Sequence, residues 1–172
     1  MQDMLVRLYD LPEWYMLKEK LSKENIKIRR ALAPDKHRIV DFVRNLSNDS
    51  AASEVDVAFS RQPLSVFIAT HEDRIVAYAA YHATCIDFFG PTAVLKEYRG
   101  KGIGKALLLT SLEAMRDEGF AYAIIGGVGP AEFYAHTVGA TLIEGSDPGI
   151  YRDFYPVFSK ENKDVINVSD EK

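Results

Sequence analysis

Cysteine is nearly absent from this sequence. Cys85 is the one cysteine in 172 residues, so no disulfide can form within a single chain, which suits a reducing compartment. Long apolar runs are missing too. None approaches the roughly 20 residues that a helix needs to cross a bilayer. Residues 1–10 hold Asp3, Arg7 and Asp10 where a secretory leader carries an apolar stretch. These absences lead to the expectation of a cytoplasmic protein with no membrane partner. Positive charge is not in excess. The formal net charge is -4, a poor basis for broad contact with nucleic acid, which needs a basic face. No cluster of Cys and His with metal-ligand spacing occurs, so no metal is expected. Internal repeats, linkers and low-complexity segments are also lacking.

What is present describes a globular chain. Hydrophobic residues make up 47% and charged residues 27%, ordinary values for a soluble fold. The length favours one domain with a sizeable core. Asp10 and Pro12 read as a helix start, followed by Trp14, Leu17 and Leu21 at helical spacing. Residues 26–32 alternate as a strand. Pro34 opens a helix with Ile39, Val43 and Leu46 on one side, broken at Asn48, Asp49 and Ser50, and a shorter helix carries Val55, Ala58 and Phe59. Residues 64–70 and 75–83 form a hairpin about the polar turn His71-Glu72-Asp73. A long strand over 86–95 is interrupted by Gly90-Pro91, where a bend or bulge is expected because proline cannot donate to a ladder. A long helix with a leucine-rich stripe ends near Gly119. Residues 122–125 read as an interior strand, Gly129-Pro130 opens a short helix holding Phe133 and Tyr134, and 141–143 and 150–154 close as strands. The tail from Glu161 is polar. The order predicts an α/β (α+β) mixed sheet with helices on its faces.

The feature richest in chemistry is Tyr98-Arg99-Gly100-Lys101-Gly102-Ile103-Gly104-Lys105, placed between a strand and a helix. Its glycines let backbone N–H groups turn inward. The helix start behind them carries partial positive charge, and Arg99, Lys101 and Lys105 add full charges. Together they suit a phosphate or pyrophosphate. The nucleotide P-loop pattern fails twice: Ala106 follows Gly104-Lys105, and Arg99 stands where the first glycine belongs. The dinucleotide pattern fails once, at Lys105.

The spacing Arg99-x-x-Gly102-x-Gly104 resembles the pyrophosphate loop of the GNAT superfamily of acyl-CoA N-acyltransferases. Residues 93–98 look like the end of that family's fourth strand. Glu132-Phe133-Tyr134 followed by Val138-Gly139-Ala140 resembles its second cofactor segment, and the element order over 26–154 agrees with the family's layout. The resemblance implies a GNAT-like fold with a central, mostly antiparallel, twisted sheet of about six to seven strands. It also implies an extra N-terminal helix over 1–25, an acetyltransferase domain over 26–158 and a polar tail over 159–172. One departure stands out. Many members carry an asparagine that contacts the cofactor near where Gly127 stands, within Gly126-Gly127-Val128-Gly129-Pro130.

The resemblance implies acetyl-CoA as acyl donor. Its site would be formed by Val94, Leu95, Lys96, Arg99, Gly100, Lys101, Gly102, Ile103, Gly104, Lys105, Phe133 and Tyr134. It also implies direct attack by an acceptor amine within a ternary complex. The thioester oxygen needs donors, for which the resemblance points to the N–H groups of Val94 and Leu95. The leaving thiolate benefits from an acid, and Tyr134 fits: a phenol titrates near 10, so it donates at neutral pH. The alternative for Tyr134 is a ring that only packs against the pantetheine arm. The base stays open among Glu54, Asp56, Tyr81, His82 and Asp87. Cys85 as an acyl-carrying nucleophile is disfavoured, for it has no histidine beside it in sequence. The acceptor, a small-molecule or peptide amine, would lie against residues 48–63 and 144–151, where Asp49, Glu54, Asp56 and Asp147 favour a cation. Rival readings are a non-catalytic acyl-CoA sensor and a mononucleotide-binding domain. Residues 150–158 are aromatic enough for a homodimer interface or for an inner strand.

Overall fold

Alternation, capping and the glycine positions explain most of the elements in the computed structural model, which describes residues 1–152. In chain order they are β1 (Met4–Arg7), α1 (Tyr15–Lys23), β2 (Ile26–Arg30), α2 (Lys36–Leu46), α3 (Asp49–Ala58), β3 (Val66–His71), β4 (Arg74–Tyr81), β5 (Phe88–Val94), α4 (Ile103–Asp117), β6 (Tyr122–Ile125), α5 (Ala131–Val138) and β7 (Thr141–Leu142). Asn48 caps α3 by accepting from the Ala51 N–H at 2.8 Å, which is how the helix restarts after its break. Glu72 and Asp73 turn the β3–β4 hairpin with φ of 48° and 63°, the two positive dihedrals of a tight hairpin.

The strands form one sheet in the order β2-β3-β4-β5-β6-β1-β7. All neighbours are antiparallel except β5 and β6, which run parallel. Two cores cover its faces. Leu107, Leu108, Leu109 and Leu112 of α4 pack with Ala77, Ala79 and Tyr81 on one face. Ile39, Val43, Ala52 and Val55 of α2 and α3 pack with Tyr78 and Ala80 on the other. β4 is therefore buried on both sides, as a central strand under two helical layers must be.

The N-terminal segment differs from expectation. No strand is expected before residue 26, yet Met4–Arg7 lies inside the sheet, with Val6 opposite Ala123 and Leu5 opposite Thr141. Residues 1–25 thus contribute a sheet strand as well as α1. Met4 and Val6 are fully buried while Arg7 faces out; three apolar residues in a row, two of them buried, are too short a signal to read as a strand. Asp10 does not cap a helix. It sits in a 3-10 turn, paired with Arg7 at 3.4 Å, and α1 starts later, at Tyr15. The closing strand expected over 150–154 is not formed by its described residues: Ile150 and Tyr151 belong to the 3-10 turn Gly149–Tyr151 and Arg152 to the turn that follows, while 153 and 154 lie outside the described residues. The polar tail over 159–172, and the interface suggested for 150–158 apart from its first three residues, also fall outside them.

Candidate active site

The site begins where β5 and β6 part. They pair over two positions only, Phe88 with Ile124 and Phe89 with Ile125. β5 then follows β4 as far as Val94, across an irregularity in register between Ala79 and Tyr81 that coincides with Gly90-Pro91. This is the bulge expected there, and it opens a wedge between the two parallel strands.

The pairing decides which amides face that wedge. The Leu95 N–H donates to the Val76 carbonyl at 2.9 Å. Antiparallel ladders alternate bonded and non-bonded pairs. The next pair, Ala77 with Val94, is therefore non-bonded, as is Ala79 with Thr92 two positions on. The N–H groups of Val94 and Thr92 point away from β4, into the wedge. Leu95 does not face the wedge as expected, for its N–H is engaged with β4; the N–H of Thr92, which sequence reasoning omitted, does.

The glycine loop closes one end of the wedge. Gly100 and Gly102 have φ of 78° and 92°, a region glycine enters without strain. A Cβ on Gly102 would lie 2.6 Å from Leu17 Cδ1, so α1 packs directly on the loop. The first bond of α4 is Ala106 N–H to the Gly102 carbonyl at 3.0 Å. The N–H groups of Ile103, Gly104 and Lys105 precede it and have no acceptor within the helix. The cations are less available than expected. Lys101 Nζ sits 3.3 Å from the Glu24 carboxylate. Arg99 Nε donates to the Val94 carbonyl at 3.2 Å. Lys105 borders a recess beside Trp14 and Tyr15. Lys96 is exposed, and the Ile103 side chain is buried in the core.

A groove of about 400 Å³ runs along the wedge, lined by Thr92, Val94, Arg99, Gly104, Phe133 and Tyr134 among others. Five of the twelve residues expected at the cofactor site therefore converge here. The Tyr134 ring packs edge-on to Phe89 and Phe133, with centroids 6.5 and 5.0 Å away. Burial pushes its phenol above the ordinary value of 10, so it holds its proton throughout the neutral range.

A second cavity, of about 460 Å³, lies at the bulge, lined by Asn48, Glu54, Pro91, Gly126, Asp147 and Tyr151 among others. Pro91 borders this cavity and its neighbour Thr92 borders the groove. Adjacent residues of β5 at the bulge therefore line the two spaces. At Gly127, where the asparagine is expected, a Cβ would meet only Tyr151 Cε2 at 3.8 Å, whereas a Cβ on its neighbour Gly126 would lie 2.8 Å from the Phe88 ring and 3.1 Å from the Tyr151 hydroxyl. The Gly127 N–H donates to Asp3 Oδ1 at 2.8 Å, so the segment before β1 fixes this corner.

The candidate bases separate. Glu54 lines the second cavity. Asp56 pairs with Lys36 at 3.0 Å and Asp49 with Arg44 at 3.2 Å, both on the outer surface. Tyr81 donates to Glu118 at 2.7 Å and accepts from Arg30 at 2.6 Å; burial pushes it up to about 12. His82 is held between the rings of Tyr81 and Phe120. Its Nδ1 accepts the Asp87 N–H at 2.9 Å, its Nε2 lies 3.3 Å from Glu118, and burial draws its pKa down. Tyr81 and His82 thus serve a buried network at the end of α4. Burial raises the Asp87 carboxyl, and neither it nor Cys85 borders either cavity.

Residues 62–137 match the Acetyltransferase (GNAT) domain. No curated protein matches the sequence. Among solved structures, the chain is similar to a GCN5-related glucosamine N-acetyltransferase region of a fungal multi-domain GH3 beta-N-acetylglucosaminidase. The TM-score there is 0.68 at 16% identity, over 83% of this chain and 19% of that one. A GCN5-related N-acetyltransferase from Sphaerobacter thermophilus matches with TM-score 0.57 and 18% identity, over 83% of this chain and 48% of that one. A GNAT family acetyltransferase from Brucella melitensis in complex with acetyl-CoA matches with TM-score 0.52 and 18% identity, over 79% and 92%. The chain thus spans about a fifth of the first and about half of the second. The fold is the GNAT fold.

Proposed function

From the GNAT acetyltransferase domain that the chain carries over residues 62–137, we propose that the protein transfers an acetyl group from acetyl-CoA to a primary amine by direct attack in a ternary complex. The observation that carries this reading is the arrangement at the β5 bulge. There Thr92 lines a groove that reaches the amide-rich start of α4, and its neighbour Pro91 lines a separate cavity.

The residues of the groove fit an acyl-CoA. The loop amides of Ile103, Gly104 and Lys105, backed by the α4 dipole, hold the pyrophosphate. Val94, Leu108 and Phe133 give the groove an apolar wall suited to the pantetheine arm. The N–H groups of Thr92 and Val94 face the thioester oxygen and stabilise the charge that develops on it. Tyr134, protonated and buried, gives a proton to the departing thiolate. Lys101 holds α1 against the loop through Glu24 and has little direct part in binding. The catalytic unit includes residues 26–158, with β1 and α1 bracing its two ends.

Thermal shift is the first test. A ligand that binds only the folded state raises Tm by mass action. Acetyl-CoA and CoA are expected to raise it, and ATP and NAD are not. A rise with ATP or NAD and none with either CoA species would point to the mononucleotide reading. A rise with acetyl-CoA, but no thiol released with any amine, would leave an acyl-CoA sensor.

A further inference from the structure

Glu54 stands apart from the other acidic residues of this face. It projects from α3 into the second cavity, and among the described residues no cation pairs with it. Asp147, the other carboxylate lining that space, is already held by the Met1 ammonium at 2.9 Å. The Thr84 hydroxyl, on the loop joining β4 to β5, donates to the Glu54 carboxylate, and the Tyr151 phenol is also in hydrogen-bond contact with Thr84. The carboxylate is thus oriented by Thr84 and keeps lone pairs for a further donor. The titratable groups facing it are the phenols of Tyr78 on β4 and Tyr151, both of which feel its charge, with Asp147 across the cavity and Cys85 beside Tyr151.

We propose that Glu54 is the catalytic base of the transfer and selects an acceptor that arrives as an ammonium ion. This rests on the acetyltransferase reading above. The acceptor amine, protonated in water, enters the cavity and gives one proton to Glu54. Its freed lone pair forms the C–N bond to the thioester carbon, and the π electrons move to the oxygen facing Thr92 and Val94. The carbonyl re-forms and the C–S bond breaks. Tyr134 gives its proton to sulfur and recovers one from the new amide nitrogen through solvent. Glu54 returns its proton to water. The sum is ammonium plus thioester to amide plus thiol plus one proton. The class of acceptor is a small ammonium compound that fits a cavity of about 460 Å³, where Asn48, Ser50 and Tyr151 offer it further hydrogen bonds.

The test uses the full chain and separates this proposal from the one it rests on. Calorimetric binding of acetyl-CoA is measured first in the native protein and in Glu54→Gln; absence of binding in both overturns the acetyltransferase reading itself. Thiol release is then followed with spermidine, lysine amide and glucosamine, and with acetamide as a neutral control. The native protein is expected to turn over at least one of the three amines and not acetamide. Glu54→Gln is expected to lose about 10²-fold or more in kcat/KM while binding acetyl-CoA within twofold of the native protein. Its remaining rate should climb with pH, as more of the amine becomes free base, and Glu54→Asp should recover part of the loss. Turnover by Glu54→Gln at the native rate would overturn the proposal. So would an acetyl-CoA complex that acetylates none of the three amines, or a Glu54→Asp variant that binds acetyl-CoA as the native protein does yet recovers none of the rate lost in Glu54→Gln.

Discussion

The two spaces lined by neighbouring residues of the β5 bulge are made of different materials. The groove proposed for the donor is largely backbone and apolar wall: helix-start amides, inward N–H groups of Thr92 and Val94, and the faces of Val94, Leu108 and Phe133. The cavity proposed for the acceptor is largely side chain: Asn48, Glu54, Asp147 and Tyr151, from separate parts of the chain, with Thr84 behind them. Amides recognise phosphate and thioester oxygens, features shared by every acyl-CoA. Carboxylates, amides and phenols placed by separate elements can recognise one amine among many. The difference assigns the constant half of the reaction to the fold and the individual half to a few residues.

Substitutions on the donor side should sharpen this contrast. Tyr134→Phe removes the proton donor and leaves the ring, so kcat should fall by about 10²-fold while the KM for acetyl-CoA holds. Because burial raises the Tyr134 phenol above 10, its acid form is complete below that pH and is lost only as pH rises through the shifted value. No limb of the pH–rate profile below pH 10 should then disappear in the Phe variant. Gly102→Val forces a branched side chain into φ of 92° and against Leu17. Strain of about 1–3 kcal/mol should weaken acetyl-CoA binding roughly 5- to 150-fold, read by calorimetry. The smallest effect is expected at Lys101→Ala. Its partner Glu24 is at the surface, where such pairs contribute at most about 1 kcal/mol. Acetyl-CoA affinity should change by less than about twofold, and a tenfold loss would return Lys101 to the phosphate site.

How far the sequence foretold this site follows the same division. The glycine loop, the long α4, and Phe133-Tyr134 are local signals, and each is visible in a short window. The β3–β4 hairpin and the irregularity at Gly90-Pro91 are local too. The choice between Leu95 and Thr92 was not visible, because it depends on ladder parity, and a shift of one residue turns an amide to the opposite side. β1 escaped because two buried apolar residues in a four-residue strand give no periodicity to read. Lys101 was read as a phosphate ligand because Glu24, its partner, comes from a distant element. Glu54 and Thr84 are thirty residues apart, and nothing in the sequence singles out Glu54 from Asp49 or Asp56 until the fold sends those two to Arg44 and Lys36.

The central claim is that the acetyl group crosses directly from groove to cavity at the bulge. Initial rates with varied acetyl-CoA and varied spermidine, lysine amide or glucosamine, with mass analysis of the product amine and of the protein, test it most directly. The account predicts intersecting double-reciprocal lines, one thiol released for each acetylated amine, and no acetyl group on the chain. Parallel lines with an acetyl adduct on Cys85 would contradict it.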